Sequence, residues 1–515
     1  MYCKIYSGAA LGIEGILVSV EADVSLGLPG LSLVGYLSSS VKEASERVRA
    51  ALRNMGYSLP SRRITVNLSP ADIRKDGAGY DLAIAVSILM SLEIFSVSEK
   101  MNNDLERTIF LGELGLDGSI LPVNAVLPIV DYAAGQGIRN VIVPSQNAVE
   151  AGLVKGINVF PVDKLSDVTQ LLMQEELKCE FIPPAFSASQ NEKVTHDLKD
   201  IKGQTALKRG VIIAVAGFHN ILMTGAAGSG KSMIAKCIPG IMPPLSYEES
   251  MELTKIYSVA GILNLEEGPM TRRPFRSPHQ TITNTALLGG GVIPMPGEVS
   301  LASNGVLFLD EFPEFRKETI EALRQPLEDR KITVSRLKAS LTFPARFMLV
   351  SARNNCPCGF FPDRKRCRCT MSDIYHYQNK ISHPIMDRID IRLEVSPVSY
   401  SELFLESDGM SSEEARAIIL KARKLQEQRY KDEDFSFNAD IPQGLIDKYI
   451  KLGDEENRFL MEIYERTKMS TRGYFRMLRL SRTIADVEGR RDVTRQDIEE
   501  AMYYRNEIQS GGYMT

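Results

Sequence analysis

The stretch that decides the fold is HNILMTGAAGSGKSMIAK, residues 219–236. Ile221 to Thr224 read as a short apolar strand, and the residues after Ser232 as a helix. Between them GAAGSGKS satisfies G-x-x-x-x-G-K-[ST] at every position, in the strand-to-helix context that the motif requires. Gly225, Ala226, Ala227, Gly228, Ser229 and Gly230 are expected to wrap backbone N–H groups around a β-phosphate, with the positive end of the following helix adding to the field. Lys231 is expected at the β- and γ-phosphates, and the Ser232 hydroxyl at a magnesium ion.

Such a loop needs a carboxylate on a neighbouring strand. GVLFLDE, residues 305–311, supplies four apolar residues followed by Asp310 and Glu311. Asp310 is the expected magnesium ligand, with Ser232, and Glu311 the group that orients or deprotonates an attacking water. Asn354 closes the apolar run FMLVSA, where a polar side chain can sense a γ-phosphate. Arg388 in HPIMDRIDI and Arg472 in STRGYFRML are the candidate arginines for a triphosphate. On spacing alone, residues such as these three are more often solvated or structural.

Outward from this centre the chain divides. Residues 1–177 mix β-rich runs, such as Ile64 to Leu68 and Val141 to Val143, with an amphipathic helix over 41–55 that Gly56 stops. Residues 178–196, with a Pro-Pro pair and many small polar residues, read as a linker. From 197 to 400, apolar strands alternate with helices and loops, the pattern of a parallel α/β sheet. From 401 to 515 the chain reads as mostly helical. The expected fold class is therefore α/β, a P-loop parallel sheet core with a helical lid, preceded by an α+β domain.

Composition sets outer bounds. With 61 Lys and Arg against 65 Asp and Glu, the net charge is -4, so any nucleic-acid contact must come from local patches. The N-terminus does not read as a signal peptide, and no apolar run approaches the length of a membrane span. Seven cysteines without a secretion signal argue for a reducing, cytoplasmic setting. Four of them form two C-x-C pairs, Cys356 with Cys358 and Cys367 with Cys369, among Arg364, Lys365, Arg366 and Arg368. Four thiolates suit a tetrahedral zinc ion; reduced cysteines without metal are the alternative.

Taken together and in order, the loop, LFLDEF, NCPCGFF and DRID resemble the magnesium-chelatase-like branch of AAA+ ATPases. The closer resemblance is to the ComM/YifB family, carried also by FRSPHQTITNTALLGGG, PGEVSLASNGVLFLDEFPEF and RLSRTIADVEG, and it extends over nearly the whole chain. It implies ATP and Mg²⁺ as cofactors and a homo-oligomeric ring, a hexamer. Asn354 would be its first sensor, Arg388 a finger to the neighbouring subunit's nucleotide, and Arg472 its second sensor. The resemblance also implies two insertions, one over Leu287 to Ser300 and a β-hairpin over Lys331 to Arg346. Arg336, Leu337 and Lys338 lie near the hairpin tip, where related motors grip DNA; an exposed hairpin with ordinary surface charges is the alternative. The implied function is ATP-driven translocation on single-stranded or branched DNA, as a helicase or branch-migration motor in recombination and natural transformation. The rival is a chelatase-type remodeller that drives metal insertion through a protein partner.

Residues 1 to about 175 resemble the proteolytic domain of Lon, through RKDGAGYDLAIAV (74–86) and residues 112–144. That protease pairs a nucleophilic serine with a lysine. The serine position falls on Gly79 and the lysine position on Leu127, so the resemblance implies the fold without the peptidase chemistry.

Overall fold

The computed structural model describes residues 2–95, 97–183, 196–265, 268–291, 294–336, 339–396 and 409–505. Its N-terminal part is built on a seven-stranded mixed sheet. In spatial order the strands are Gly30–Val34, Arg63–Ser69, Glu14–Ser25, Tyr2–Leu11, Thr108–Phe110, Asn140–Pro144 and Asn158–Val162. The expected 64–68 and 141–143 strands lie inside two of these. Apolar residues alternate along Arg63–Ser69, so Ile64, Val66 and Leu68 are buried on one face. The expected amphipathic helix runs Ser39–Asn54. Ser38 caps it by accepting the Val41 N–H, and Val41, Ala44, Val48, Ala51 and Leu52 face the core. Met55 ends the helix and Gly56, at φ 86°, supplies the left-handed turn.

The second part carries, among the described residues, a five-stranded parallel sheet in the order Phe275–Arg276, Val306–Leu309, Met348–Arg353, Ile221–Gly225, Ile391–Val395. The strands are short and apolar because both faces are covered. Ile221, Met223, Val350, Ile391 and Leu393 share one core with Ala415, Ile419, Ile484 and Ile498 of the C-terminal helices. Leu222, Leu307, Leu309 and Leu349 form the opposite core with Phe312, Leu323 and Ile385. The run expected as FMLV becomes a strand from Met348 to Arg353; Phe347 stays outside it, buried, with its carbonyl taken by Arg330.

Two further features bear on the site. The hairpin pairs Lys331–Arg336 with Ala339–Pro344, Val334 opposite Leu341. Its base is tied to the C-terminal part by Asp440, which bonds Arg330 at 2.8 Å and Arg346 at 3.2 Å. Leu337 and Lys338 lie outside the described residues, and so does the side chain of Arg336. The C-terminal helices are Ser412–Arg429, Asp454–Thr467, Thr471–Val487 and Arg495–Arg505; buried Asp486 ties the first to the third, pairing with Arg429 at 2.6 Å and Arg482 at 2.9 Å. Among the described residues, no helix is long and apolar enough to cross a membrane.

The helix Tyr247–Val259 joins the two sheets. Its residues 247, 251, 255 and 258 fall on one side at helical spacing. The Tyr247 hydroxyl donates to the Leu153 carbonyl at 3.1 Å, Met251 packs into the N-terminal core, and Lys255 meets Asp131 at 2.5 Å. Ser258 donates to buried Glu150, and the Ser258 carbonyl accepts the Ala125 N–H at 3.3 Å. Leu253 and Tyr257, on the other side, pack on Leu301 and Leu245 of the second part.

Asp390 holds the start of the last parallel strand. It accepts the Asn220 N–H at 3.0 Å and meets Arg476 at 2.5 Å, and it is buried. Burial pushes its carboxyl up, but the Arg476 charge, with the His219 ring 3.6 Å away, outweighs this and holds it well below the usual range. The contribution is therefore present at neutral pH and lost only as pH falls below about 4. Asp390→Ala leaves the half-buried Arg476 without its carboxylate and the buried Asn220 N–H without its acceptor, which should cost about 2–4 kcal/mol, read as an earlier urea midpoint.

Candidate nucleotide-binding site

Parallel pairing brings the expected residues to one edge. Ile221 pairs with Val350, and Leu309 with Ser351, so the three central strands end together, carrying Gly225, Asp310 and Asn354 at their carboxyl ends. In parallel α/β sheets, ligands bind outside this edge. Gly228 and Gly230 adopt φ of 77° and 93°, a turn that L side chains resist, and this bends the loop into the helix Lys231–Ile241.

Ser232 Oγ donates to Asp310 Oδ2 at 2.7 Å. Two oxygen ligands of the type magnesium prefers are thus adjacent, from a helix and a strand 78 residues apart. Lys231 is buried, and its Nζ donates to the carbonyls of Gly225 at 2.9 Å and Ala226 at 2.8 Å and to Asn354 Oδ1 at 3.2 Å. These acceptors are all neutral. Burial lowers the ammonium below its ordinary range, with the Asp310 charge opposing. A buried cation held by neutral oxygens is strongly stabilised by an arriving phosphate. Asn354 thus accepts from Lys231 directly, at the same edge as the loop.

Glu311 is exposed at the same edge, and its N–H donates to Asp310 Oδ1 at 2.9 Å. Its φ of 50° places a non-glycine residue in the left-handed region. Such strain costs on the order of 1–3 kcal/mol and persists at sites where the turn itself is needed.

Arg388 lies elsewhere. It precedes Ile391, which pairs with Ile221 at the start of the phosphate-loop strand, and its carbonyl accepts from Asn220 Nδ2 at 2.9 Å. It therefore sits at the amino edge of the sheet, a strand length away from its own loop. Arg472, at the second position of the helix Thr471–Val487, is on this same side. Glu328 joins the two, accepting from Arg388 through one oxygen and from Arg472 at 3.0 Å through the other. Burial raises the Glu328 carboxyl, but Arg388, Arg472 and Arg476 together outweigh it and keep it below its usual range. These groups line a cavity of about 460 Å³ with Arg330, Arg346 and Arg479. Glu328 was not legible as a site residue: in RQPLEDR it is one more acid on a short helix.

The four cysteines are brought together. Cys356 Sγ lies 3.3 Å from Cys358 and 3.8 Å from Cys367, Cys358 lies 3.6 Å from Cys367, and all four sulfurs fall within 4.8 Å of one another. In the N-terminal part, the serine position Gly79 bears no side chain, and Leu127 is fully buried with its N–H donated to Glu150 at 2.9 Å. Neither position offers a nucleophile or a base.

Lys231→Ala removes the one cation within the loop. It should abolish nucleotide binding, measured by fluorescence titration with mant-ATP, while leaving the circular dichroism spectrum unchanged.

Comparison with known proteins agrees with this geometry. Three family models match: "Magnesium chelatase, subunit ChlI" over residues 197–403, "Subunit ChlI of Mg-chelatase" over 20–147, and "Magnesium chelatase, subunit ChlI C-terminal" over 409–505. The chain is 39% identical over 503 residues to the YifB protein of Salmonella typhimurium, covering 97% of this chain and 96% of that one. It is 40% identical over 506 residues to the competence protein ComM of Haemophilus influenzae, covering 97% of each. Its first third is similar to the Lon protease of Mycolicibacterium smegmatis, 27% identical over 171 residues, which is 31% of this chain and 21% of that protein. The chain belongs to the ComM/YifB family of magnesium-chelatase-like AAA+ ATPases, with a Lon-protease-like N-terminal domain.

Proposed function

We propose that this protein is a ring-forming motor that couples ATP hydrolysis at subunit boundaries to movement along single-stranded or branched DNA. The observation that carries the ring is the split of the site: the phosphate loop, Asp310, Glu311 and Asn354 share one edge of the sheet, and Arg388 and Arg472 share the other. One chain cannot bring both sets to one triphosphate. A neighbour stacked head to tail supplies the second set, and repetition of that contact closes a ring, in our reading a hexamer.

Within each boundary, the loop amides and Lys231 bind the phosphates of ATP. Ser232 and Asp310 hold Mg²⁺, which when bound neutralises charge developing on the transferred phosphoryl group. Glu311 orients and deprotonates the attacking water, Asn354 relays the presence of the terminal phosphate to Lys231, and the neighbour's Arg388 and Arg472 leave Glu328 for the phosphate oxygens. The arginines lose a carboxylate and gain a more highly charged acceptor, so closure of the boundary is favoured only when the triphosphate is present.

DNA as the substrate is supported by the Lys331–Pro344 hairpin, anchored through Asp440 to the helices that carry Arg472, and by the similarity to a protein named for competence. On this reading the motor serves strand exchange in recombination and the integration of incoming single strands in transformation. The chelatase reading has in its favour the description of all three family models. One of those models covers residues 20–147 of the Lon-like domain, so that domain favours neither reading; what weighs against the chelatase reading is the full-length similarity to a protein named for competence.

A strand-displacement assay on three-way junctions tests the proposal: ATP-dependent displacement is expected, and ATPase stimulation by a porphyrin but by no DNA would replace the motor with the chelatase reading. Glu311→Gln should bind mant-ATP normally but turn over about 10²–10⁴-fold more slowly, the usual range for loss of a general base. Mixing Lys231→Ala with Arg388→Ala protein should restore part of the activity that each lacks alone, because some boundaries then combine an intact loop with an intact finger. Phosphate release from the mixture no greater than from either variant would contradict action across the boundary.

A further inference from the structure

The four-cysteine segment leads straight off the strand Met348–Arg353 through Asn354, and its first turn lies on the phosphate loop. Ala227 donates its backbone N–H to the Gly359 carbonyl at 3.0 Å. Gly359 adopts φ 78°, and a Cβ built there would lie 3.0 Å from the Ala227 methyl. The next residues are bonded back to the strand end: Asn355 Nδ2 donates to the Phe361 carbonyl at 3.1 Å, and Gln378 Nε2 to the Asn355 carbonyl at 3.2 Å. Asn354 and Gly359 are thus two ends of one small turn that touches Lys231 with one residue and Ala227 with the other.

What holds this turn in place is not hydrophobic burial. Its apolar cluster consists of Cys356, Cys367 and Ile374, with Phe360, Phe361 and Cys369 only partly covered. So small a core cannot order a segment of this length, and natural scaffolds of this kind are stapled by a metal or a disulfide. The geometry favours a metal. Four sulfurs at the corners of a tetrahedron around zinc, at about 2.3 Å each, are separated by about 3.8 Å; here the separations among Cys356, Cys358 and Cys367 run from 3.3 to 3.8 Å, and all four sulfurs, Cys369 included, lie within 4.8 Å of one another. Arg364 and Arg366 stack on Phe361 and Phe360, at 4.8 and 4.0 Å from the ring centres, which places two cations beside the negative charge that a four-thiolate zinc carries.

We infer that Cys356, Cys358, Cys367 and Cys369 bind one zinc ion, and that this ion clamps Gly359 onto Ala227, so that the affinity of the loop for nucleotide depends on zinc. The zinc knuckle is then part of the nucleotide site, not an ornament on the far side of the domain. The clamp rests on the reading of residues 225–232 as that site. Without the metal, the turn loses its staple, Ala227 loses the fixed Gly359 carbonyl, and the loop must be ordered by the nucleotide itself, at a cost in affinity.

The test uses the full chain, purified without chelators or a histidine tag. Metal analysis should find one zinc per chain. Stripping with a mercurial and a chelator should weaken mant-ATP binding at least about tenfold, the scale of effect expected when a positioning contact is released, and added zinc should restore it. Gly359→Val keeps all four thiols but sets a branched side chain, at a φ it resists, against Ala227. It should retain zinc and still bind mant-ATP more weakly. A chain that binds no zinc, or a stripped chain or a zinc-loaded Gly359→Val variant that binds mant-ATP as tightly as the native protein, overturns the clamp alone. Failure of the zinc-loaded native protein to bind mant-ATP overturns the phosphate-loop reading beneath it.

Discussion

Lys231 is an ammonium out of water with only neutral oxygens around it, and much of this ATPase core is arranged to keep it so. Its acceptors come from Gly225, Ala226 and Asn354, which lie at the ends of adjacent parallel strands. Parallel strands in register end together, so a single pairing scheme delivers the loop, the metal carboxylate and the sensor to one edge. Keeping that register requires apolar side chains on both faces of each strand. The C-terminal helices cover one face and the turns around Phe312 and Leu323 cover the other. The cationic centre is thus a product of the core's packing, and a shift of one residue in any of the three strands would dismantle it.

The same parallelism explains why the arginines collect at the opposite edge. Arg388 stands at the beginning of its strand, where Asn220 and Asp390 fix the backbone. Glu328 holds it beside Arg472. In the proposed ring, a neighbouring copy brings these two arginines to the loop, and the local carboxylate and the neighbour's triphosphate compete for the same two side chains.

Where the Lon resemblance places a lysine, Leu127 is packed into the core, and its backbone N–H donates to Glu150, which in turn accepts from Ser258 of the ATPase part. Burial raises the Glu150 carboxyl, with the Ser258, Leu127 and Asn147 hydrogen bonds opposing. The surroundings of that position now serve as a seat for the helix Tyr247–Val259. The loop before Leu127 is shaped to this contact, with Ala125 at φ 63°.

What the sequence by itself determined was local: the strand-loop-helix of 219–236, the strand ending in Asp310, the amphipathic helix after Ser38, and the loss of the protease dyad at Gly79 and Leu127. Each is written in consecutive residues or in a fixed period, so propensity, glycine placement and burial pattern suffice to read it. Tertiary structure alone decided what those pieces meet. Glu328 acquires importance only because two arginines from distant segments arrive beside it, and the cysteine turn touches the phosphate loop only because their strands are neighbours. Such contacts are set by the order and register of strands in a sheet, a property of the whole chain's packing, and no window of sequence carries it.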